Sequence, residues 1–383
     1  MQTTADVVIV GGGIMGMSTA YHLATRGCTN VILLEMREMF GMGSTGQNAG
    51  GFRLQFATAV NIELSKLSVA MMERFREEMD QELGINRCGY LFLLDNETDL
   101  EQFRANVSRQ NALGVPSRVV RVEDIAALAP EVDLTGIIGG TWCARDGLVD
   151  PSGLLQGYVS AASRLGASLV TQATVTALDV AGGRVRRVVT NRGTIDTPTV
   201  VIAAGAWSAQ ICAMAGVNVP IQPIRRQIAV TTAIAGLRAN FPFVIDFGRA
   251  LYFHREGDGI LTGMSNRNEA PAFNTGVDEA WRLHHLENAV KRLPLLSDAG
   301  IKAEWAGLYE MTPDHQPILG RLPQVDGLFV CAGFSGHGLM HGPASGLLMA
   351  EEVLDGAART IDISSLGWDR FETGNPAGEY NVV

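Results

Sequence analysis

The chain has 383 residues, 44 of them glycine, with 46% apolar residues, only 18% charged residues and a net charge of −10. At ~150 residues per domain this is enough for two or three cores, which excludes a stapled mini-protein, and the apolar content excludes a disordered chain. An acidic balance without long runs of like charge argues against a nucleic-acid or anionic-membrane partner.

In chain order, Asp6-Val7-Val8-Ile9-Val10 is a β-branched run of the kind that forms a buried parallel strand, and it ends in Gly11-Gly12-Gly13-Ile14-Met15-Gly16. That is the spacing G-x-G-x-x-G. Ile14, Met17, Ala20, Tyr21 and Leu23 then recur at helical spacing up to Gly27, and Val31-Ile32-Leu33-Leu34 is a second strand closed by Glu35. In such a βαβ unit the glycines bring backbone amides and a helix N-terminus to a pyrophosphate. An acid at the end of the second strand accepts a ribose hydroxyl and disfavours a 2′-phosphate. The motif is shared by FAD and NAD sites. A glycine- and hydroxyl-rich loop follows at 41–53, where an NAD domain ordinarily continues into a plain helix and strand.

A long amphipathic helix is predicted over 62–79, strand at 89–94, helix at 100–113, and helix at 154–165 opened by Asp150-Pro151. Strands at 168–170, 175–180 and 199–203 follow, the last reaching Ala204-Gly205-Ala206-Trp207. Residues 221–309 read mostly as strand, interrupted by a helix at 278–292 that carries His284 and His285; adjacent histidines point different ways, so a solvated helix face is expected there and no metal site. Leu328-Phe329-Val330-Cys331-Ala332 is a last buried strand, running into Gly333-Phe334-Ser335-Gly336-His337-Gly338 and a helix from about Leu339. A serine-nucleophile elbow would need glycine at His337. A helix N-terminus lined by glycine instead offers N–H donors and a positive dipole to a developing negative charge.

The five cysteines (Cys28, Cys88, Cys143, Cys212 and Cys331) are odd in number, scattered and in no C-x-x-C pair, so they read as isolated core thiols in a reducing compartment. The uncharged stretches 7–25 and 197–224 are broken by glycines, His22 and Pro220, so no signal peptide or membrane span is expected, and the location expected is cytoplasmic.

The βαβ unit with Glu35, the Gly43-Ser44-Thr45 loop leading to Arg53, and Thr312-Pro313-Asp314 with Gly320 and the 333–338 turn together resemble the D-amino-acid-oxidase superfamily of FAD-dependent oxidoreductases. The resemblance covers 7–356 and points to the glycine oxidase, sarcosine oxidase β-subunit and proline dehydrogenase β-subunit branch. It implies a fold of class α/β plus α+β. A Rossmann-like FAD-binding domain (1–83, 141–219, 310–383) would carry a discontinuous substrate-binding domain (84–140, 220–309) built on a mostly antiparallel sheet. It implies FAD held by Gly11, Gly13, Ile14, Met15, Gly16, Glu35 and Met36, by Gly43, Ser44, Thr45, Gln47, Ala49, Gly50 and Gly51, by Val175, Ala204, Gly205, Trp207 and Gly307, and by Gly333, Ser335, Gly336, His337, Gly338, Leu339 and Met340.

The reaction implied is oxidation of the C–N bond of a small amino acid or secondary amine (glycine, sarcosine, proline or an N-substituted amino acid), the hydrogen passing to flavin N5 and the imine then hydrolysing. Arg53 aligns with the arginine that grips the substrate carboxylate in sarcosine oxidases, and Tyr252 and Tyr309 align with two pocket tyrosines. Gly307 and Gln47 stand where relatives carry flavin-linking cysteine and histidine, so non-covalent FAD is expected. Met340 replaces a second carboxylate-binding lysine and Leu261 a lysine tied to oxygen activation, leaving His254, His337 and His341 as candidate polar substitutes. Three readings stay open: an oxidase, a dehydrogenase subunit passing electrons to a partner chain, and a non-catalytic flavin-binding assembly subunit, with a homo-oligomer or a hetero-oligomeric partner in each.

Overall fold

A computed structural model describes residues 2–374 and 378–382. The predicted βαβ unit forms the middle of a six-stranded sheet whose spatial order is Ile318–Arg321, Leu328–Ala332, Val200–Ile202, Val7–Val10, Val31–Leu34, Ser168–Val170. All neighbours are parallel except the pair Ile318–Arg321 and Leu328–Ala332. Alternation splits the apolar runs between two cores, which is why the strands are apolar at every position. Val7, Ile9, Val31, Leu33 and Val201 pack on the helices Ile14–Thr25, Ala59–Glu73, Pro151–Arg164 and Gly338–Asp355. Val8, Val10, Ile32, Leu34 and Ile202 face a small antiparallel sheet (Val175–Ala181, Arg184–Thr190, Gly193–Asp196) and the helix Ser208–Met214.

The second sheet has eight strands, in the order Ile301–Met311, Gln222–Thr231, Gly259–Met264, Leu251–Glu256, Phe243–Asp246, Tyr90–Leu94, Gly139–Cys143, Arg118–Val120. It is antiparallel apart from the pairing of Phe243–Asp246 with Tyr90–Leu94. Leu91, Leu93, Val244 and Phe253 pack under the helix Glu279–Arg292 on one face. Tyr90, Phe92, Phe243, Ile245 and Tyr252 look to the other face, toward the first sheet. Strands Gly139–Cys143 and Ile301–Met311 run across the limits expected at 140 and 309, so those limits would cut hydrogen-bonded ladders.

Two expectations change. The helix predicted over 62–79 is two helices, Ala59–Glu73 and Phe75–Met79, because at Arg74 the amide bonds back only to Met71 O. The turn lays Phe75 against Gly157, which has no side chain in its way. His285 is not solvated: it is 1% exposed, its Nε2 3.0 Å from Thr262 Oγ1, and burial lowers its pKa to about 4. Positions 285, 289 and 292 form the inward stripe of the helix, so polar residues there imitate a solvated face. His284 is the exposed one of the pair, and no metal-ligating cluster occurs among the described residues. Among those residues no helix is long and apolar enough to cross a membrane, and four of the five free cysteines are buried.

Candidate active site

A long cavity lies between the two large sheets, lined from Glu35 and Met36 beside the first and Val175 on the small antiparallel sheet to Tyr90, Phe243 and Tyr252 on the second. It begins where Gly11 takes φ +115°; a Cβ there would lie 2.2 Å from Ala203 O, so only glycine lets the strand cross so close to its neighbour. The Gly12 amide donates to Glu35 Oε2 at 2.9 Å and the Arg37 amide to Oε1 at 2.8 Å, which fixes the carboxylate at the cavity wall with lone pairs to spare. Thr45 Oγ1 accepts from the Ile14 amide at 3.1 Å, which leaves the amides of Gly13 and Met15 at the helix start to face the cavity.

The loop over 41–53 is tied to the second sheet. Ser44 Oγ donates to Leu308 O at 2.6 Å, and Trp305 Nε1 donates to Gln47 O at 3.0 Å. Gly307 sits against Gln47, to which a Cβ would come within 3.2 Å. The two positions at which relatives were expected to link flavin are therefore neighbours.

Of the residues predicted to hold the cofactor, all but Gly16, Gly50 and Gly333 line the cavity. These three shape its frame. Gly16 admits Gly11 O, Gly50 takes φ +69° against Val149 O, and Gly333 donates its amide to Glu310 Oε2 at 2.9 Å. Ser335, at φ +48°, has its hydroxyl bonded at Thr312 N and its amide donated to Glu310 O, so it is neither a presented nucleophile nor a free donor. The donors at this end are instead the first amides of the helix Gly338–Asp355, at Gly338, Leu339 and Met340.

Arg53, 6% exposed, donates to Gln55 O and Asn381 O, and its guanidinium lies 3.8 Å above the Phe56 ring. It makes no ion pair among the described residues; the two acids whose fields reach it are engaged elsewhere, Glu379 accepting from Ala57 N, Thr58 N and Asn61 Nδ2 and Asp146 from Leu54 N and Gln55 Nε2. Tyr309 packs beneath Gly336, at φ +97°, whose Cβ would lie 2.3 Å from the ring. Burial raises the Tyr309 phenol while Arg226 and Arg53 pull it down, and burial pushes Tyr252 well above its ordinary value. His337 lines the cavity with both ring nitrogens buried and without partners among the described residues, and burial holds it neutral, well below its usual pKa. The other two candidate histidines stand behind the wall. His254 stacks on Phe243 at 4.9 Å, and His341 bonds Ser65 Oγ through Nε2 at 2.8 Å. Leu261 packs in the sheet core, while Met340 is at the cavity.

Sequence reasoning missed several cavity residues. Glu310 precedes Thr312-Pro313-Asp314; its buried carboxyl is pushed up to about 7 by desolvation, against which the Gly333 and Phe334 amides act. Arg226 shares a strand face with Ile228, and an arginine at an inward position of an apolar strand was the available signal. Tyr90 and Phe243 stack at 4.1 Å as an aromatic wall, and Val382 comes from the far end of the chain.

A dinucleotide fits this surface. Helix-start amides and Glu35 lie at one end, and Arg37 Nε, Arg226 Nε and the His337 nitrogens are buried polar atoms along it that lack partners among the described residues. The chain is 32% identical to human mitochondrial sarcosine dehydrogenase over 374 residues, covering 93% of this chain and 40% of that one, so it spans well under half of that relative. It is 30% identical to the Xenopus laevis FAD-dependent oxidoreductase domain-containing protein 1, covering 99% of this chain and 85% of that one. L-proline dehydrogenase from P. horikoshii superposes with a TM-score of 0.91 at 31% identity, covering 98% of this chain and all of that one. Glycine oxidase from Geobacillus kaustophilus superposes with a TM-score of 0.85 at 25% identity, covering 96% and 99%. The FAD dependent oxidoreductase family model matches residues 6–352, and the chain belongs to that family.

Proposed function

We propose that this protein oxidises the C–N bond of a small amino acid or secondary amine using non-covalent FAD. The carrying observation is a buried guanidinium, Arg53, that has no acid partner among the described residues and opens onto the cavity the dinucleotide motif begins. Family relatives named for sarcosine, proline and glycine support an amino-acid substrate.

The residues that would hold FAD are the amides of Gly13 and Met15, Glu35, the loop from Gly43 to Gly51, and the amides of Gly338 to Met340. When bound, FAD supplies the acceptor for the electron pair and hydrogen that leave the substrate's α-carbon. Arg53 grips the substrate carboxylate with a planar fork, which fixes the α-carbon in position. Tyr90, Phe243 and Tyr252 exclude water from the reacting end. His337, held neutral, accepts a hydrogen bond from the substrate nitrogen. The imine that leaves is hydrolysed by water.

The apolar Leu261 favours an electron acceptor other than oxygen, in line with relatives named as dehydrogenases, and a partner chain would be its source. The buried free thiols suit a reducing compartment, and we place the protein in the cytoplasm. Anaerobic addition of glycine, sarcosine, proline and N-substituted amino acids should bleach the flavin band, and slow recovery in air would identify a dehydrogenase. If no amine bleaches it, FAD is structural and the enzyme reading falls.

A further inference from the structure

The cavity holds a second guanidinium. Arg226 lies on the strand Gln222–Thr231 opposite Gly307 and lines the cavity, with its charged carbon 5.2 Å from the centre of the Tyr309 ring. Nη1 donates to Arg225 O at 3.0 Å, and Nε is buried without a partner among the described residues. The neighbouring acids are engaged elsewhere: Glu269 and Asp278 pair with Arg225 at 2.9 and 3.4 Å. Among the described residues neither Arg226 nor Arg53 has a carboxylate at ion-pair distance, and the Tyr309 phenol feels both.

Two cations in one cavity, Arg53 buried and Arg226 half-buried with its Nε enclosed, call for compensating negative charge, because a charge withdrawn from water without a partner is costly. A monocarboxylic amino acid held by Arg53 answers one of them. Glu310, the acid on the wall nearby, spends its carboxylate on the Gly333 amide. We propose that the substrate is a dicarboxylic amine, an amino acid with a second carboxylate on its N-substituent or side chain, and that Arg226, beside Tyr309, reads that second carboxylate in the cavity it shares with Arg53. This rests on the amine-oxidation reading above and narrows it to a substrate class.

The test uses FAD-loaded protein and two ethers that cannot be oxidised as amines: oxydiacetate, with two carboxylates, and methoxyacetate, with one. Calorimetric titration should find oxydiacetate at least ~10-fold tighter, the lower range of a charge-assisted bond. Arg226→Met should abolish that preference and Arg226→Lys should keep part of it, with the flavin spectrum reporting that both variants are folded. Equal binding of the two ethers, an unchanged preference in Arg226→Met, or loss of FAD from that variant in place of lost preference would each overturn the proposal. Anaerobic reduction separates this from the parent reading. Bleaching by sarcosine or proline at lower concentration than by iminodiacetate sinks the dicarboxylate proposal alone. Bleaching by none of them sinks the parent reading.

Discussion

Replacing Arg53 with Met tests the anchor of the proposed reaction, because methionine keeps much of the contact with Phe56 while removing the charge. Two carbonyls, Gln55 O and Asn381 O, would lose their guanidinium donor. Each loss costs about 1–3 kcal/mol if no water reaches the carbonyl, partly offset because a buried cation is no longer desolvated. A net loss of roughly 2 kcal/mol in urea unfolding is expected. Substrate binding should suffer more distinctly, since a charge-assisted bond of ~1.5–3 kcal/mol corresponds to a ~10- to 150-fold rise in half-saturating amine. The assay is anaerobic titration of the flavin band, with FAD affinity followed separately by flavin fluorescence. FAD affinity should hold, because Arg53 belongs to the far end of the cavity from Glu35. Half-saturation unchanged in Arg53→Met, with FAD still bound, would refute the assignment of the carboxylate to this guanidinium. Arg53→Lys should recover only part of the affinity, because a point charge cannot reproduce the planar fork.

Glu310→Gln should change how stability responds to pH. With the folded carboxyl near 7 and the unfolded one near 4.5, its protonated form stabilises the fold below about pH 4.5, and that contribution fades as pH rises through 7. The variant should therefore lose a slope worth up to roughly 3 kcal/mol between those limits in urea midpoints; parallel wild-type and variant curves would refute the shift. Comparing the two cancels the opposite slope from His22, His254 and His285, each lowered to about 4, whose stabilisation is lost as pH falls below their ordinary value. Gly11→Ala forces a Cβ to 2.2 Å from Ala203 O at φ +115° and should abolish FAD retention and lower the thermal midpoint, whereas Gly43→Ala, with open space around it, should leave that midpoint unchanged. Acid precipitation should release all flavin into the supernatant, since Gly307 and Gln47 offer no linking side chain; colour in the pellet would contradict this.

The parts of the site that were legible in sequence are those whose function demands a local pattern. The run 7–16 had to be apolar strand, then glycine turn, then helix, and Glu35 had to close the next strand, so spacing alone located the start of the cavity. Arg226 and Glu310 carried no such pattern. Each sits in a strand where period-two alternation identifies a face, but only the pairing of Gln222–Thr231 with Ile301–Met311 determines which face meets the cavity. Asp146 was invisible for another reason: it lies in the short connection after Gly139–Cys143, and its carboxyl, which accepts from Leu54 N and Gln55 Nε2 some ninety residues away and is pushed up to about 6 by burial, takes its role from those distant partners. Asn381 and Val382 reach the site from more than three hundred residues beyond Arg53, a closure no local signal encodes. His285 misled in the opposite way, a polar residue whose hydroxyl partner, Thr262, lies on another element.

The strand Ile301–Met311 explains why cofactor and substrate surfaces are coupled. Among the described residues it pairs only with Gln222–Thr231 and is the edge of the second sheet, so one row of its backbone groups is left for other partners. Two carbonyls two residues apart, which share an edge, are taken by the first body: Leu308 O by Ser44 Oγ and Glu310 O by the Ser335 amide. One comes from the loop proposed to meet the flavin and the other from the turn that opens the helix Gly338–Asp355. The same segment carries Gly307 against Gln47 and Tyr309 against Arg226. A displacement of this edge would therefore move the loop, the helix-start amides and the substrate wall together. Loosening it through Ser44→Ala, which strips the donor from Leu308 O, should weaken FAD and carboxylate binding in concert; loss of only one would mean that the edge does not couple them.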